Sequence, residues 1–110
     1  MNVQAAAPLA EPTGITPPPV PRSLAETGLN AVMMRDILLK TMFRTNAEQV
    51  SDLSRLIALP LVLTQELIDA CRVQRMVEAT GTIHATSVNV MGYRLTDGGK
   101  ARALDALAQS

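Results

Sequence analysis

The sequence predicts a mainly α-helical domain closed by a small β hairpin, and three observations carry that expectation. Apolar residues recur at helical spacing in successive segments between Asn30 and Gln74, each bounded by a capping or proline signal. Met91, Tyr93 and Leu95 then alternate with Gly92 and Arg94, the period of a strand with one apolar face. Phe43 and Tyr93 are the only aromatic residues, so the core must be built from Leu, Ile, Val, Met and Ala, which suits packed helices better than a sheet sandwich. With 110 residues and an irregular first fifth, the chain holds one small domain.

Residues 1–22 carry six of the seven prolines between Ala, Thr and Gly residues. They are expected to form a disordered arm of polyproline character, dispensable for folding, ahead of a domain at 23–110. Pro18 to Pro21 fits the minimal Pro-x-x-Pro pattern of a groove ligand, which is also commonplace in linkers. The arm lacks a basic start, and its apolar run from Ala5 to Ala10 is interrupted by Pro8, so it does not read as a secretory signal. No stretch is long enough to span a bilayer, and the chain reads as cytoplasmic with no membrane partner.

The first helix is expected from a cap at Asn30 to about Arg44. Val32, Met33, Met34, Ile37, Leu38, Leu39, Met42 and Phe43 leave only a narrow polar edge of Asp36, Lys40 and Arg44. Such a helix is expected to be covered on most sides, either by the rest of the domain or, along one side, by a partner subunit in a homo-oligomer. Thr45 and Glu48 have the spacing of a capping box, which starts a second helix with Val50, Leu53, Leu56 and Ile57 on one face. Leu59-Pro60 ends it and opens a third helix running to about Gln74, with Leu63, Leu67, Ile68 and Cys71 inward. Two helices joined by this short turn read as a helix-turn-helix.

Met76 to Ala79 reads as a first strand, Thr80-Gly81-Thr82 as a turn, Ile83 to Val88 as the tip, and Asn89 to Leu95 as the returning strand. Met91, Tyr93 and Leu95 are expected to face inward. Thr96 then caps a last helix, with Asp97 at the positive end of its dipole, Leu104 and Leu107 on its buried face, and Lys100, Arg102 and Asp105 toward water.

The corner Tyr93-Arg94-Leu95-Thr96-Asp97-Gly98-Gly99-Lys100 resembles the end of the wing and the start of the last helix in winged helix-turn-helix domains. That makes the expected fold class mainly α with a small β wing. From Pro18 onward, the order proline-rich lead, Glu26-Thr27-Gly28-Leu29, an apolar helix containing Leu38-Leu39-Lys40-Thr41, the helix-turn-helix and this corner is similar to the N-terminal module of a group of bacterial AAA+ type ATPases. The resemblance implies a regulatory or docking domain, with nucleotide hydrolysis in a downstream domain and no catalytic residues of its own.

The residues themselves narrow the function. Ten basic residues balance ten acidic ones. The outward face of the third helix carries Val62, Gln65, Glu66, Asp69, Arg72 and Val73, which would bring two carboxylates among the phosphates of a bound duplex. Between Met76 and Tyr93 there is no lysine or arginine to lie along a phosphate backbone. Ile83, Val88 and Val90 instead add apolar surface, so the candidate interaction surface comprises these three with the six residues of the helix. A protein partner is the leading expectation. The alternatives are a DNA-binding transcriptional regulator, with DNA disfavoured, and a sensor of an anionic nucleotide held at a candidate anion site of Arg72 and Arg75. Gly99-Lys100 lacks both the following Ser or Thr and the upstream glycine of a phosphate-binding loop. Cys71 reads as an inert core thiol, Glu66 and Asp69 as solvated carboxylates, and His84 as a lone residue at the wing tip. With one cysteine and one histidine there is no disulfide and no structural zinc set, and no cofactor is expected.

Overall fold

A computed structural model describes residues 23–85 and 88–109, with side chains throughout except at His84, Ala85 and Val88. The arm at 1–22, with its Pro-x-x-Pro pattern, lies outside the described residues. A short 3-10 turn at Ala25–Thr27 leads into α1 (Ala31–Thr45), α2 (Val50–Ile57), α3 (Leu61–Val73), β1 (Val77–Ala85), β2 (Val88–Leu95) and α4 (Asp97–Gln109). The described residues are thus mainly helical, with one two-stranded antiparallel sheet as a small wing. No described helix is long and apolar enough to cross a membrane.

α1 is the element around which the others pack. The Asn30 side chain caps it, accepting from the amides of Val32 at 2.8 Å and Met33 at 3.1 Å. Its inner side supplies Met34, Leu38, Leu39 and Met42 to a core completed by Leu53, Leu67, Ile68, Cys71, Val77, Tyr93, Leu95 and Ala103. Val32 and Met33 are more than half exposed and Ile37 is also exposed, so one apolar edge of α1 stays open rather than covered. α2, α3, α4 and β2 all pack against α1, and between them they leave Val32, Met33 and Ile37 uncovered.

The capping box expected at Thr45 does not form. Thr45 completes α1, donating its hydroxyl to the Thr41 carbonyl at 2.7 Å, and Asn46 ends the helix in the left-handed region with φ 56°. The chain stays out of helical conformation until Val50, because Glu48 is used differently: its carbonyl accepts the Tyr93 amide of β2 at 2.9 Å. A strand-like bond across the domain replaces the local cap. α3 buries Leu63, Leu67, Ile68 and Cys71 as its periodicity dictates, and also Thr64. The Thr64 hydroxyl is satisfied within the turn, lying 3.1 Å from the Leu59 carbonyl and 3.0 Å from that of Pro60. Pro60 is extended, with ψ 148°, and stands as the N-cap rather than in the first turn.

The hairpin is longer than expected. Thr80-Gly81-Thr82 is not its turn but an interruption within β1, where the register shifts between Ala79 and Gly81 and Thr80 is left over. Gly81, at φ 99°, absorbs the distortion of this bulge. Because both strands extend past the helices, Met91 is 45% exposed although it shares a face with the buried Tyr93 and Leu95. α4 also differs in its packing face: Gly99, Ala103 and Ala106 are buried, whereas Leu104 is exposed and Leu107 half-buried. The helix comes too close to its neighbours for leucines to sit between them. Arg102 turns toward the protein, with Nε 3.5 Å from the Asp36 carboxylate, which also holds Arg35 at 3.1 Å.

Candidate functional site

The third helix and the base of the wing together form the surface on which function can rest. α3 is oriented by its buried stripe, which leaves Val62, Glu66, Asp69, Arg72 and Val73 exposed and Gln65 half-buried. Val62 is 72% and Val73 83% exposed, the highest values among the large apolar residues described. Isolated valines so open to water on a helix face are apolar area without a cover.

A polar network ties this face to the wing. Tyr93 is buried to its ring, and its hydroxyl accepts from Gln65 Nε2 at 3.2 Å. The same amide nitrogen donates to Asp69 Oδ1 at 3.0 Å. Asp69 also pairs with Arg72 at 3.6 Å, and the Arg72 guanidinium lies 5.7 Å from the centre of the Tyr93 ring. Arg72 is therefore engaged by its own chain. On the wing, Arg94 is likewise held, by Glu78 at 2.6 Å.

Arg75 follows the helix at φ 62°, an uncommon conformation for a side-chain-bearing residue. Its amide donates to the Arg72 carbonyl at 3.0 Å and its carbonyl accepts the Thr96 hydroxyl at 2.6 Å. These bonds fix the backbone, while the guanidinium has no ion-pair partner among the described residues. Arg72 and Arg75, the candidate anion site, do line one concavity, which runs between the ends of α1 and α3, the base of the wing and the start of α4. It is no cationic pocket, however: Arg72, Arg75, Arg94 and Lys100 share its walls with Glu48, Asp69, Glu78 and Asp97.

The wing residues are divided from this surface. Ile83 and Val90 are cross-strand partners on the side of the hairpin opposite Tyr93, where Ile83 lies over Gly92. Val88 pairs with Ala85 in the same ladder, and its side chain, like that of His84, lies outside the described residues. The apolar wing residue on the Tyr93 side is Met91, which sequence alternation placed inward. The Gln65–Tyr93 link was also not foreseen, although a buried tyrosine hydroxyl calls for a partner. Cys71 is buried against α1, and burial, the largest influence, pushes its thiol up to about 11, with Arg35 opposing and Asp36 adding to the shift. No protein-family model matches the chain, and no curated protein matches it in sequence.

Proposed function

We propose that this chain is a non-catalytic protein-interaction module that binds through the outer face of α3 and the adjoining wing. The observation that carries the reading is the state of that face. It sets Glu66 and Asp69 between the exposed Val62 and Val73, and it engages Arg72 internally with Asp69 and Tyr93. Duplex affinity comes largely from cations that displace counterions at phosphates, and this face has few to offer. Exposed valines at Val62 and Val73, flanking a polar stretch, suit a protein contact instead. The resemblance of the order of pieces from Pro18 to the end to the N-terminal modules of a group of bacterial AAA+ type ATPases supports a regulatory role beside such a motor. On that reading, nucleotide hydrolysis belongs to a different domain.

The test is a titration of a random duplex pool at physiological salt, repeated with Arg72→Glu and Arg75→Glu. The expected result is weak, unselective binding. Selection of one sequence with sub-micromolar affinity, lost in both variants, would replace this reading with that of a transcriptional regulator.

A further inference from the structure

The outer edge of β1 changes character at the bulge. At its base the strand packs against α3 and Val77 is buried, whereas Ala79, Thr80, Gly81 and Thr82 are exposed. Between Glu78 and Arg94 the sequence has no proline and, near neutral pH, no residue able to carry a charge except His84. The pairing fixes which backbone groups are free on this edge. The Tyr93 amide is turned to Glu48, so Met91, two residues back along β2, also faces away from β1, and its partner Thr82 directs its amide and carbonyl outward. His84 continues the alternation. The piece of β1 past the bulge, Gly81 to Ala85, is therefore centred on Ile83 with one outward residue on either side.

We propose that this piece pairs with the same piece of a second copy, antiparallel about a two-fold axis at Ile83, joining the two wings into one four-stranded sheet. An axis at Ile83 is the register that matches the whole piece to itself. It sets Thr82 of each copy opposite His84 of the other, outward groups against outward groups, so that each such pair exchanges both backbone hydrogen bonds. On the face away from Tyr93 it brings the two Ile83 side chains together. Val90 already stands across from Ile83, so an apolar row of Val90, Ile83, Ile83 and Val90 crosses both wings. Edges that refuse their own kind commonly carry lysine or proline, and this piece has neither. The two-fold contact closes on itself, and the bulge of each copy ends it. It uses the border of the wing, not the face of α3, and holds whichever partner α3 takes.

Sedimentation equilibrium of the full chain, from micromolar to near-millimolar concentration, tests this. The wild type is expected to show a monomer–dimer equilibrium. Ile83→Lys and Ile83→Glu each set like charges against each other at the axis and are expected to raise the dimer Kd by about tenfold or more. An equimolar mixture of the two variants sets opposite charges there and is expected to dimerise about tenfold more tightly than either alone. Thr82→Pro removes an amide that makes no bond to β2, so it is expected to leave the hairpin intact and to weaken the dimer by a similar factor. Circular dichroism and a thermal melt confirm that each variant is folded. A wild type that stays monomeric overturns the inference and leaves the edge to a strand of another protein. A dimer indifferent to Thr82→Pro and to the mixing of the charged variants overturns it as well, since its contact lies elsewhere. Neither result bears on the duplex titration, which judges the α3 reading separately.

Discussion

At Gly99 the start of α4 passes so close to the α3–β1 link that a Cβ there would lie 1.9 Å from the Met76 carbonyl oxygen. That oxygen is fixed, because it accepts the Thr96 amide at 3.0 Å. Gly99→Ala is therefore expected to cost about 3 kcal/mol, at the upper end of overpacking losses, since backbone rather than a side-chain tip must yield. Gly98→Ala is its control: the nearest atoms to a Cβ there are at 3.7 Å, and urea unfolding should show no loss. Cys71 gives a second expectation, with a definite sign. Its folded thiol titrates near 11 instead of 9.0, so the folded state keeps a proton that the unfolded state releases between those values. The stability this provides is complete below the unfolded value and is lost as pH rises through the folded one, by up to about 1.4 kcal/mol per pH unit. Urea unfolding between about pH 8 and pH 11 should fall more steeply for the wild type than for Cys71→Ala. Parallel slopes would show that the thiol does not titrate in this way.

Each helix tests how far local chemistry determines its place. The caps at Asn30 and Thr96 and the buried stripe of α3 were legible because an amide within three residues, or a periodicity along one segment, suffices to specify them. The capping box at Thr45 failed because Glu48 bonds to Tyr93, far away in the chain. The packing face of α4 was misread for a related reason. Hydrophobicity favours Leu104, but close approach between helices favours Ala103 and Ala106, and that distance is set by the rest of the fold. For the buried phases of α2 and α3, Leu53→Ala and Leu67→Ala should each destabilise by roughly 2 to 5 kcal/mol. Glu66→Ala, on the outer face, should stay within about 0.5 kcal/mol. Gln65→Ala falls between them, at about 1 kcal/mol, because it leaves the Tyr93 hydroxyl without its donor. Denaturant midpoints for the four variants check the order, and similar losses at Leu67 and Glu66 would mean that α3 is rotated.

For the molecule as a whole, the arm is expected to add little to stability, since its proline-rich composition offers too little apolar surface to offset its chain entropy. A chain beginning at Ser23 should melt within a few degrees of the full one, and a collapse in melting temperature would show the arm to be packed. The candidate surface was legible as a helix face but not as a charge pattern. Arg75 lies beyond the helix in the left-handed region, so the face read along α3 does not extend to it, and only the folded backbone shows this. The bulge at Thr80 has a consequence for the open border of the wing. The Tyr93 amide points to Glu48, away from β1, so its cross-strand partner Ala79 turns its own amide and carbonyl outward, as does Val77 two residues earlier. Past the leftover Thr80 the outward positions become Thr82 and His84. A straight incoming strand needs outward groups at every second residue and meets a gap of three. It can pair with one side of the bulge or the other but not with both, so a nine-residue border that would otherwise template fibrous assembly is divided into two short, mismatched pieces.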